Sequence, residues 1–345
     1  MQRPFFKKPL ATSGVLWIFI FSLLVRTVVL ARFADTPFLI PKGDDMYFYH
    51  SWAIRILGGQ WTDHQAFYGL PGYAFFLALV YSVVGIQPFV VGLLQTVVAA
   101  LTSVIIYRLG CETFALVRND DRTDRRAPFP ETLISAIAAV GWALFLPSQV
   151  FTVILMPTCW LVLIYWGCLL WLMRVQSDSL WKPWLFLGLV IGFVAVFIAT
   201  VLFLWPLVLA TICFNVGKQK AIGPRWMSRL AAAAIFVAGV FAGASPAWIH
   251  NYFIAHEPVL LSAHSGLNLW IGNNPVANGY PRIPPGLRAS QDGLLRDSVT
   301  LARKLSGKDL SRSEVSRFWS DHANQWIREN RGTWFRLIAT KISNF

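Results

Sequence analysis

The 345-residue chain has few charged residues, and its cysteines form no pattern typical of a disulfide framework or a metal site. Only 14% of its residues are charged, against about 25% in an average soluble domain, and 56% are hydrophobic. Its four cysteines form no CxxC pair and lie in or beside apolar runs, where they suit small core positions. This composition excludes a disordered chain, a secreted disulfide scaffold and a soluble enzyme. It predicts a polytopic membrane protein.

Acidic residues are scarcer than basic ones, which gives a formal net charge of +13. In a soluble protein such a balance would indicate nucleic-acid binding. In a membrane protein it is typical of basic loops on the cytoplasmic side that contact anionic lipid. The basic residues here do not alternate with exposed aromatic residues as on a nucleic-acid-binding sheet. We therefore expect the membrane as a partner, and no nucleic acid.

The apolar runs predict the membrane-spanning helices. They cover residues 14–33, 67–84, 88–109, 132–146, 158–173, 184–215 and 230–250. The first run follows Arg3, Lys7 and Lys8, is long enough to span, and is not followed by an A-x-A cleavage site. It therefore resembles a signal anchor with a cytoplasmic N-terminus. The run 184–215 is too long for one crossing, and its Gly and Pro residues predict two short irregular ones.

The basic loops decide how many of these runs cross. Three short loops are positively charged, and they contain Arg118, Arg122, Arg125 and Arg126, then Arg174 and Lys182, then Lys218, Lys220, Arg225 and Arg229. All three lie on the cytoplasmic side with the N-terminus only if residues 67–84 do not cross the membrane. That run opens with Gly69, Pro71 and Gly72, which suits a re-entrant or juxtamembrane helix. We therefore expect seven transmembrane helices.

This topology predicts two regions. Residues 1–250 form a transmembrane module with a long outer loop at 34–88, and residues 251–345 form an outer tail. Within the tail, apolar residues recur at helical spacing from Val315 to Ile327, with Ser311 or Ser313 as the helix N-cap. A second amphipathic segment, residues 334–342, suits a helix at the membrane interface. The chain stops just after this segment, and it is either a short protein of its kind or one truncated before further membrane helices.

The outer loop contains two adjacent carboxylates, Asp44 and Asp45, at the start of a short amphipathic helix. One interpretation is helix capping, since a carboxylate accepts backbone N–H bonds and faces the positive end of the helix dipole. The other is a general base or a metal ligand at a membrane-surface cleft. Tyr49 and Trp52 follow Asp45 by four and seven residues, on roughly the same helix face. That face suits a bound sugar or an aromatic belt.

Three stretches resemble a known family. The run Asp45-x-x-x-Tyr49-x-x-Trp52-Ala53-x-x-Ile56-x-Gly58 resembles the first outer loop of bacterial GT-C glycosyltransferases. These polytopic enzymes are related to protein mannosyltransferases and to lipopolysaccharide-modifying sugar transferases. Residues 67–85 are similar to the family's next segment. The most specific stretch is 251–279, which contains Leu-Asn-Leu-Trp-Ile-Gly-Asn-Asn-Pro and resembles an outer-loop signature of the same group.

The resemblance implies an all-α, GT-C-like bundle in the bacterial inner membrane. It implies transfer of a sugar from a polyprenyl-phosphate donor to a lipid, glycan or protein acceptor on the outer face, with inversion. Carried over by position, Asp45 is the catalytic base and Asp44 its neighbour, and a divalent metal at this pair stays an open alternative. The resemblance and the outer-side position together suggest substrate-binding residues, namely Tyr49, Trp52, Arg55, His250, Asn273, Asn274, Arg282 and Arg288. The Asn273–Asn274 pair has an equal alternative, which is that it only shapes a turn.

The chain departs from the family pattern at three places. Met156 and Ala199 stand in stretches where relatives often carry charge, and His250 stands where an arginine is common. These departures favour, as an alternative, a binding protein for lipid-linked sugars that has lost catalysis. A transporter or flippase is a further alternative, although no acidic residue lies inside a predicted span and no inverted repeat is detectable.

Overall fold

The computed structural model describes residues 12–36, 39, 41–42, 44–118, 130–175, 181–215 and 225–344, and over these residues it is helical with no strand. The chain forms two compact units. The first comprises the described residues of Met1–Lys42, Leu79–Ile191 and Thr200–Val240. The second comprises those of Gly43–Ala78, Gly192–Ala199 and Phe241–Phe345. The tail thus belongs to the same unit as most of the outer loop.

The described residues form fifteen α-helices. In chain order they are α1 (Thr12–Phe33), α2 (Asp44–Leu57), α3 (Gly72–Val84), α4 (Pro88–Arg118), α5 (Glu131–Leu144), α6 (Leu146–Val153), α7 (Thr158–Arg174), α8 (Lys182–Ala195), α9 (Trp205–Asn215), α10 (Arg225–Gly243), α11 (Ser245–Ile249), α12 (Ser265–Gly272), α13 (Gln291–Ser306), α14 (Arg312–Glu329) and α15 (Arg331–Ser343). A 3-10 helix (Ala199–Leu204) precedes α9, and a π-helix (His250–Ile254) follows α11.

Several helices have the length and composition of membrane spans, which agrees with the predicted membrane class. Segments Ser13–Phe33, Pro88–Phe114 and Trp226–Gly243 each qualify, and α5 with α6 makes a fourth span if this pair, bent by 52°, counts as one. The other apolar helices have 10–17 residues, which is about 15–25 Å and less than the ~30 Å hydrocarbon core. By length and composition, three or four of the seven expected transmembrane helices are therefore long enough to cross a membrane.

The orientation assigned from loop charge depends largely on residues outside the described ranges. These include Arg122, Arg125, Arg126, Lys218 and Lys220. In the run 184–215 the expected interruption occurs after α8, where the chain leaves the α-helix before the 3-10 helix begins. Gly188 in α8 allows a close helix crossing, since a Cβ there would lie 2.3 Å from the carbonyl oxygen of Phe236 in α10.

In the first unit α4 is the central helix, and it packs against α1, α5, α6 and α7. Two of its buried polar residues form hydrogen bonds with neighbouring helices. Ser103 hydrogen-bonds Ser22 of α1 at 2.9 Å, and Gln95 Nε2 donates to the carbonyl oxygens of Thr152 and Ile154 at 2.8 Å each. These bonds pair buried polar groups that would otherwise be costly in an apolar bundle.

A buried arginine stabilises the bend between α5 and α6. Arg26 of α1 is 1% exposed, and its guanidinium donates to the carbonyl oxygen of Trp142, to both oxygens of Ser148 and to the hydroxyl of Thr152 at 2.5–3.1 Å. Nε donates to Ser22 Oγ at 3.4 Å. The guanidinium therefore meets neutral oxygens on every side, and two of these are carbonyls at the bend, those of Trp142 and Ser148.

Replacing Arg26 with lysine should destabilise the first unit by about 2 kcal/mol, because an ammonium cannot reproduce the planar five-donor fork and leaves acceptors at the bend unpaired. The thermal unfolding midpoint in detergent measures the effect. Arg32→Lys is the matched control, since Arg32 is exposed in the last turn of the same helix. Equal midpoints for the two variants would contradict a role for Arg26 in holding the bend.

In the second unit α12 and α14 cross closely, and α13 packs against both α14 and α2. Helix α14 begins with a capping box, in which Ser311 Oγ accepts the N–H of Glu314 and Glu314 accepts the N–H of Ser311. This confirms Ser311 as the N-cap. Helix α13 was not among the expected helices. Its Ser290 N-cap and its C-terminal Gly307, at φ 69°, are the local signals that mark it.

Candidate functional site

The second unit fixes residues 66–68, which lie beside the start of α2, through buried side chains. Glu257 is buried, and its two carboxylate oxygens accept the backbone N–H groups of Ala66 at 2.8 Å and Ser313 at 2.6 Å. Asn251 is fully buried, and its Oδ1 accepts the N–H of Phe67 at 2.9 Å. Both contacts join segments far apart in sequence, so the backbone before Tyr68 has a defined position.

Replacing Glu257 with glutamine should destabilise the second unit by about 1–3 kcal/mol. The amide keeps the shape of the side chain but offers one acceptor and an NH₂ group, so that one buried backbone N–H loses its partner. Chemical denaturation monitored by circular dichroism measures the change. Glu329→Gln, at an exposed position of α14, is the control and should change the free energy of unfolding by no more than about 0.5 kcal/mol. A similar loss of unfolding free energy in both variants would contradict the role of Glu257 as the acceptor of these two backbone N–H groups.

Tyr68 and His264 are joined at this position. His264 Nδ1 donates to the carbonyl oxygen of Tyr68 at 2.8 Å, and Ala263 N donates to the carbonyl oxygen of Phe67 at 2.8 Å. Because Nδ1 carries the proton in this bond, Nε2 of the neutral imidazole carries a lone pair. Arg312 adds a bond from Nη1 to the carbonyl oxygen of Ala66 at 2.9 Å and pairs with Asp63.

Asp45 lies in the first turn of α2 and is half-buried. Its carboxylate forms no hydrogen bond with any residue that the structure describes. Asp44 before it is exposed and has φ 55°, a left-handed conformation that aspartate tolerates better than most residues. Asp44 is thus the residue with the unusual backbone at the start of α2. Asp45, which follows it in the first turn, presents a carboxylate that has no hydrogen-bond partner among the described residues.

Two phenols and an imidazole lie close enough to Asp45 to respond to its charge. Burial raises the pKa of Tyr49 and that of Tyr68 well above the usual value, and the Asp45 carboxylate raises both further. Burial lowers the pKa of His264, while its bond to the Tyr68 carbonyl and the Asp45 charge oppose this. The phenols therefore remain protonated donors at neutral pH, beside a carboxylate that can accept a proton.

A second carboxylate approaches from the tail. Asp292 is half-buried in the first turn of α13, and its charge also contributes to the raised pKa of Tyr68. Asp45 on α2 and Asp292 on α13 therefore both act electrostatically on the Tyr68 phenol, and the two helices that carry them pack together. We refer to Asp45, Tyr49, Tyr68, His264 and Asp292 as the Asp45 cluster. This arrangement can bind a hydroxyl group and remove its proton.

Sequence reasoning identified Asp45 and Tyr49 but missed the other members of the cluster. Tyr68 and His264 lie within the two stretches that resemble the family, yet no spacing marks either one as a site residue. Asp292 belongs to the helix that was not expected. Only long-range packing brings these residues to Asp45.

Two of the residues expected to bind substrate lie in the core of the second unit. Trp52 is 9% exposed and packs against the rings of Phe48 and Phe67, with centroids 5.5 and 5.7 Å away. His250 stacks on Phe67 at 3.9 Å, and its nitrogens bond Thr62 and Asn251 at 2.7 and 3.2 Å. Both side chains therefore have structural partners, and neither is placed to contact a ligand.

The Asn273–Asn274 pair shapes a turn. Asn274 is 1% exposed, its Nδ2 donates to the carbonyl oxygen of Trp270, and its Oδ1 accepts the N–H of Val276, both at 2.9 Å. Asn273 Oδ1 accepts the indole N–H of Trp334 at 3.1 Å. Because the amide oxygens are used within the protein, the geometry favours the turn-forming interpretation over binding of sugar hydroxyls.

The three arginines among the expected substrate-binding residues differ in their partners. Arg288 forms a two-pronged ion pair with Asp297 at 2.8–2.9 Å, and this contact holds the pKa of the Asp297 carboxyl below its usual value. Arg55 and Arg282 are exposed and form no ion pair with a described residue. Arg55 lies ten residues beyond Asp45, about 15 Å along the helix axis. Two of the three guanidinium nitrogens of Arg288 are therefore used by Asp297, whereas Arg55 and Arg282 have no such partner among the described residues.

The described residues provide no set of ligands for a divalent metal at Asp44 and Asp45. Among them, no group of three histidine, cysteine, aspartate or glutamate side chains is arranged to hold an ion. Asp44 and Asp45 alone would supply two carboxylates, which is fewer ligands than a protein-bound divalent ion usually takes.

Comparisons with protein-family models, with curated proteins and with solved structures give no significant match for this chain. Its function is therefore inferred from the geometry of the Asp45 cluster and from the resemblance of its motifs.

Proposed function

We propose that this protein is a membrane glycosyltransferase that moves a sugar from a polyprenyl-phosphate donor to an acceptor hydroxyl. The observation that carries the proposal is Asp45, a half-buried carboxylate without a hydrogen bond to a described residue, beside two protonated phenols. A carboxylate so placed suits a general base better than a helix cap, because a capping carboxylate would accept backbone N–H groups.

The reaction balances with the residues of the cluster. The acceptor oxygen forms a bond to the anomeric carbon while the bond from that carbon to the lipid phosphate oxygen breaks. Asp45 takes the hydroxyl proton, and polyprenyl phosphate leaves with the bonding electron pair. Attack opposite to the leaving group inverts the anomeric centre. Arg55 and Arg282 are the exposed cations left to attract the phosphate.

The proposed topology places this cluster on the outer face of the bacterial inner membrane. It has seven crossings, with the N-terminus in the cytoplasm and the shorter apolar helices completing the spans that length alone does not assign. Cysteine labelling of Arg122→Cys and Lys308→Cys from each side of sealed vesicles should give opposite faces. Labelling of both from the same side would contradict the topology.

Turnover of a donor panel tests the activity. The full chain, purified in detergent and shown to be folded, is incubated with polyprenyl-phosphate sugars that differ in the sugar and with lipid, glycan or peptide acceptors. We expect polyprenyl phosphate and a glycosylated acceptor to form in equal amounts from at least one donor. No turnover of any donor by folded protein would contradict the proposal.

A binding protein for lipid-linked sugars is the second candidate. It is favoured by the loss of cations for a departing phosphate, since His250 is buried and Arg288 is paired with Asp297. Met156 and Ala199, which stand in stretches where relatives often carry charge, are uncharged as well. Saturable binding of a donor without turnover would identify this function.

A further inference from the structure

The second unit contains an open polar cleft, separate from the Asp45 cluster, with a volume of about 590 Å³. One wall is formed by residues 64–65 and 255–258. The other is formed by Arg303, by residues 309–311 and by the first turns of α14 as far as Arg317. Its volume lies within the range of about 300–1,000 Å³ that small-molecule sites occupy. No member of the Asp45 cluster lines it.

Two histidines on the rim of this cleft have an unusual backbone. His64 has φ 57° and His256 has φ 56°, and among the described residues the only other non-glycine residue with positive φ is Asp44. The His64 N–H donates to Thr62 Oγ1 at 2.9 Å, which holds the loop in this conformation. Left-handed residues of this kind persist where the surroundings determine them, and here both present exposed imidazoles to the cleft.

The acidic groups of the cleft already have partners. Both carboxylate oxygens of Glu257 accept backbone N–H groups. Glu314 accepts the N–H of Ser311, and Asp309 pairs with Arg303 at 3.0 Å. These contacts leave the cleft with carboxylates whose position is fixed and whose remaining lone pairs can still accept a hydrogen bond.

Unlike the carboxylates, most side-chain hydrogen-bond donors that line the cleft have no hydrogen-bond partner among the described residues. The guanidinium of Arg317, the amide of Gln65 and the imidazoles of His64 and His256 form no side-chain hydrogen bond with a described residue. The lining holds one more carboxylate than arginine, so it attracts neither a strong anion nor a strong cation. It instead presents N–H donors and oxygen acceptors side by side, which matches a ligand whose groups both donate and accept.

We propose that this cleft binds a neutral, hydroxyl-rich ligand, namely a segment of a saccharide chain. Each sugar hydroxyl donates one hydrogen bond and accepts others, and neighbouring hydroxyls suit the paired atoms of a guanidinium, an amide or a carboxylate. Binding here needs neither a lipid-linked donor nor proton transfer. The inference therefore goes beyond the proposed transfer reaction and can fail or succeed independently of it.

Saturation-transfer NMR and calorimetry on the full chain in detergent test the site. The probes are maltohexaose, mannohexaose and chitohexaose, with inorganic phosphate as the charged comparison. We expect at least one hexasaccharide to bind and phosphate not to compete. Arg317→Gln combined with His64→Asn and His256→Asn should weaken binding by about tenfold or more, since each substitution removes hydrogen-bond donors from the cleft.

The controls separate loss of the site from loss of the fold. Asparagine tolerates the left-handed conformation of both histidines, so the unfolding midpoint should stay near that of the parent protein. Arg328→Gln, exposed on the same helix as Arg317, should leave saccharide binding unchanged. Asp321→Asn, exposed on the same helix and outside the cleft, should also leave it unchanged.

Three outcomes would overturn the proposal. The first is that none of the three hexasaccharides binds to folded protein. The second is binding that survives the triple substitution, which would place the saccharide elsewhere. The third is displacement of the saccharide by phosphate, or binding of phosphate that depends on Arg317, which would make the cleft an anion site.

Discussion

Replacing Asp45 with asparagine is expected to lower sugar transfer about 10³-fold, within the range of about 10²–10⁴ that a positioned general base contributes. The substitution keeps the size of the side chain and removes its basicity. Tyr49 and Tyr68 cannot replace it, because burial alone already raises the pKa of each phenol above its usual value, so neither forms a basic phenolate at neutral pH. Single-turnover assays with the donor identified in the panel measure the change.

The controls for Asp45→Asn come from neighbouring and distant carboxylates. Asp44→Asn should lower sugar transfer less than Asp45→Asn does, because Asp44 is exposed as the first residue of α2. Asp321→Asn, exposed on α14, should retain full activity. If the Asp45 variant keeps its activity while the Asp44 variant loses it, the base is Asp44. If neither matters, proton removal does not occur at the start of α2.

Replacing Gly266 with alanine is expected to destabilise the second unit by about 3 kcal/mol or more. A Cβ at this position would lie 1.7 Å from the backbone carbonyl oxygen of Ser316, where α12 crosses α14. A carbonyl in the middle of a helix cannot turn aside as a flexible side chain can. The two helices would have to separate, which would also disrupt the bond from Gly266 N to Ser316 Oγ at 3.1 Å.

The matched control is Gly332→Ala, in the first turn of α15. No atom lies within 4 Å of a Cβ there, and alanine favours the helix, so this variant should be as stable as the parent or more stable. Yield of monodisperse protein and the denaturation midpoint compare the two. A Gly266 variant as stable as the control would mean that α12 and α14 do not approach so closely.

Much of the fold was predictable because it depends on local patterns. Long apolar runs predict helices of the membrane class, and the serines at 311 and 313 predict the start of α14, which has Ser311 as its N-cap. The number of crossings was less predictable. The run 132–146 gives no sign that the chain bends by 52° at its end or that Arg26, more than a hundred residues earlier, pairs the carbonyls at the bend.

The candidate site was predictable only in part. The pair Asp44–Asp45 is visible because adjacent carboxylates at a helix start are conspicuous in an apolar chain. Trp52, His250, Asn273 and Asn274 have the residue types expected of a sugar site, yet their polar groups or rings are used in packing and in turns. Residue type cannot reveal this, since a partner such as Trp334, which is half-buried, lies 61 residues away from Asn273 in sequence.

The sequence by itself determined what each segment does locally: its apolar length, its helix starts and the carboxylates at the head of α2. The tertiary structure decided which polar side chains are paired and which remain free. Hydrogen bonds and ion pairs between distant segments, such as Glu257 with Ala66 and Ser313, satisfy some groups and leave others available. That distinction depends on where the folded chain brings its segments together, and it singles out Asp45 and the cleft around Arg317.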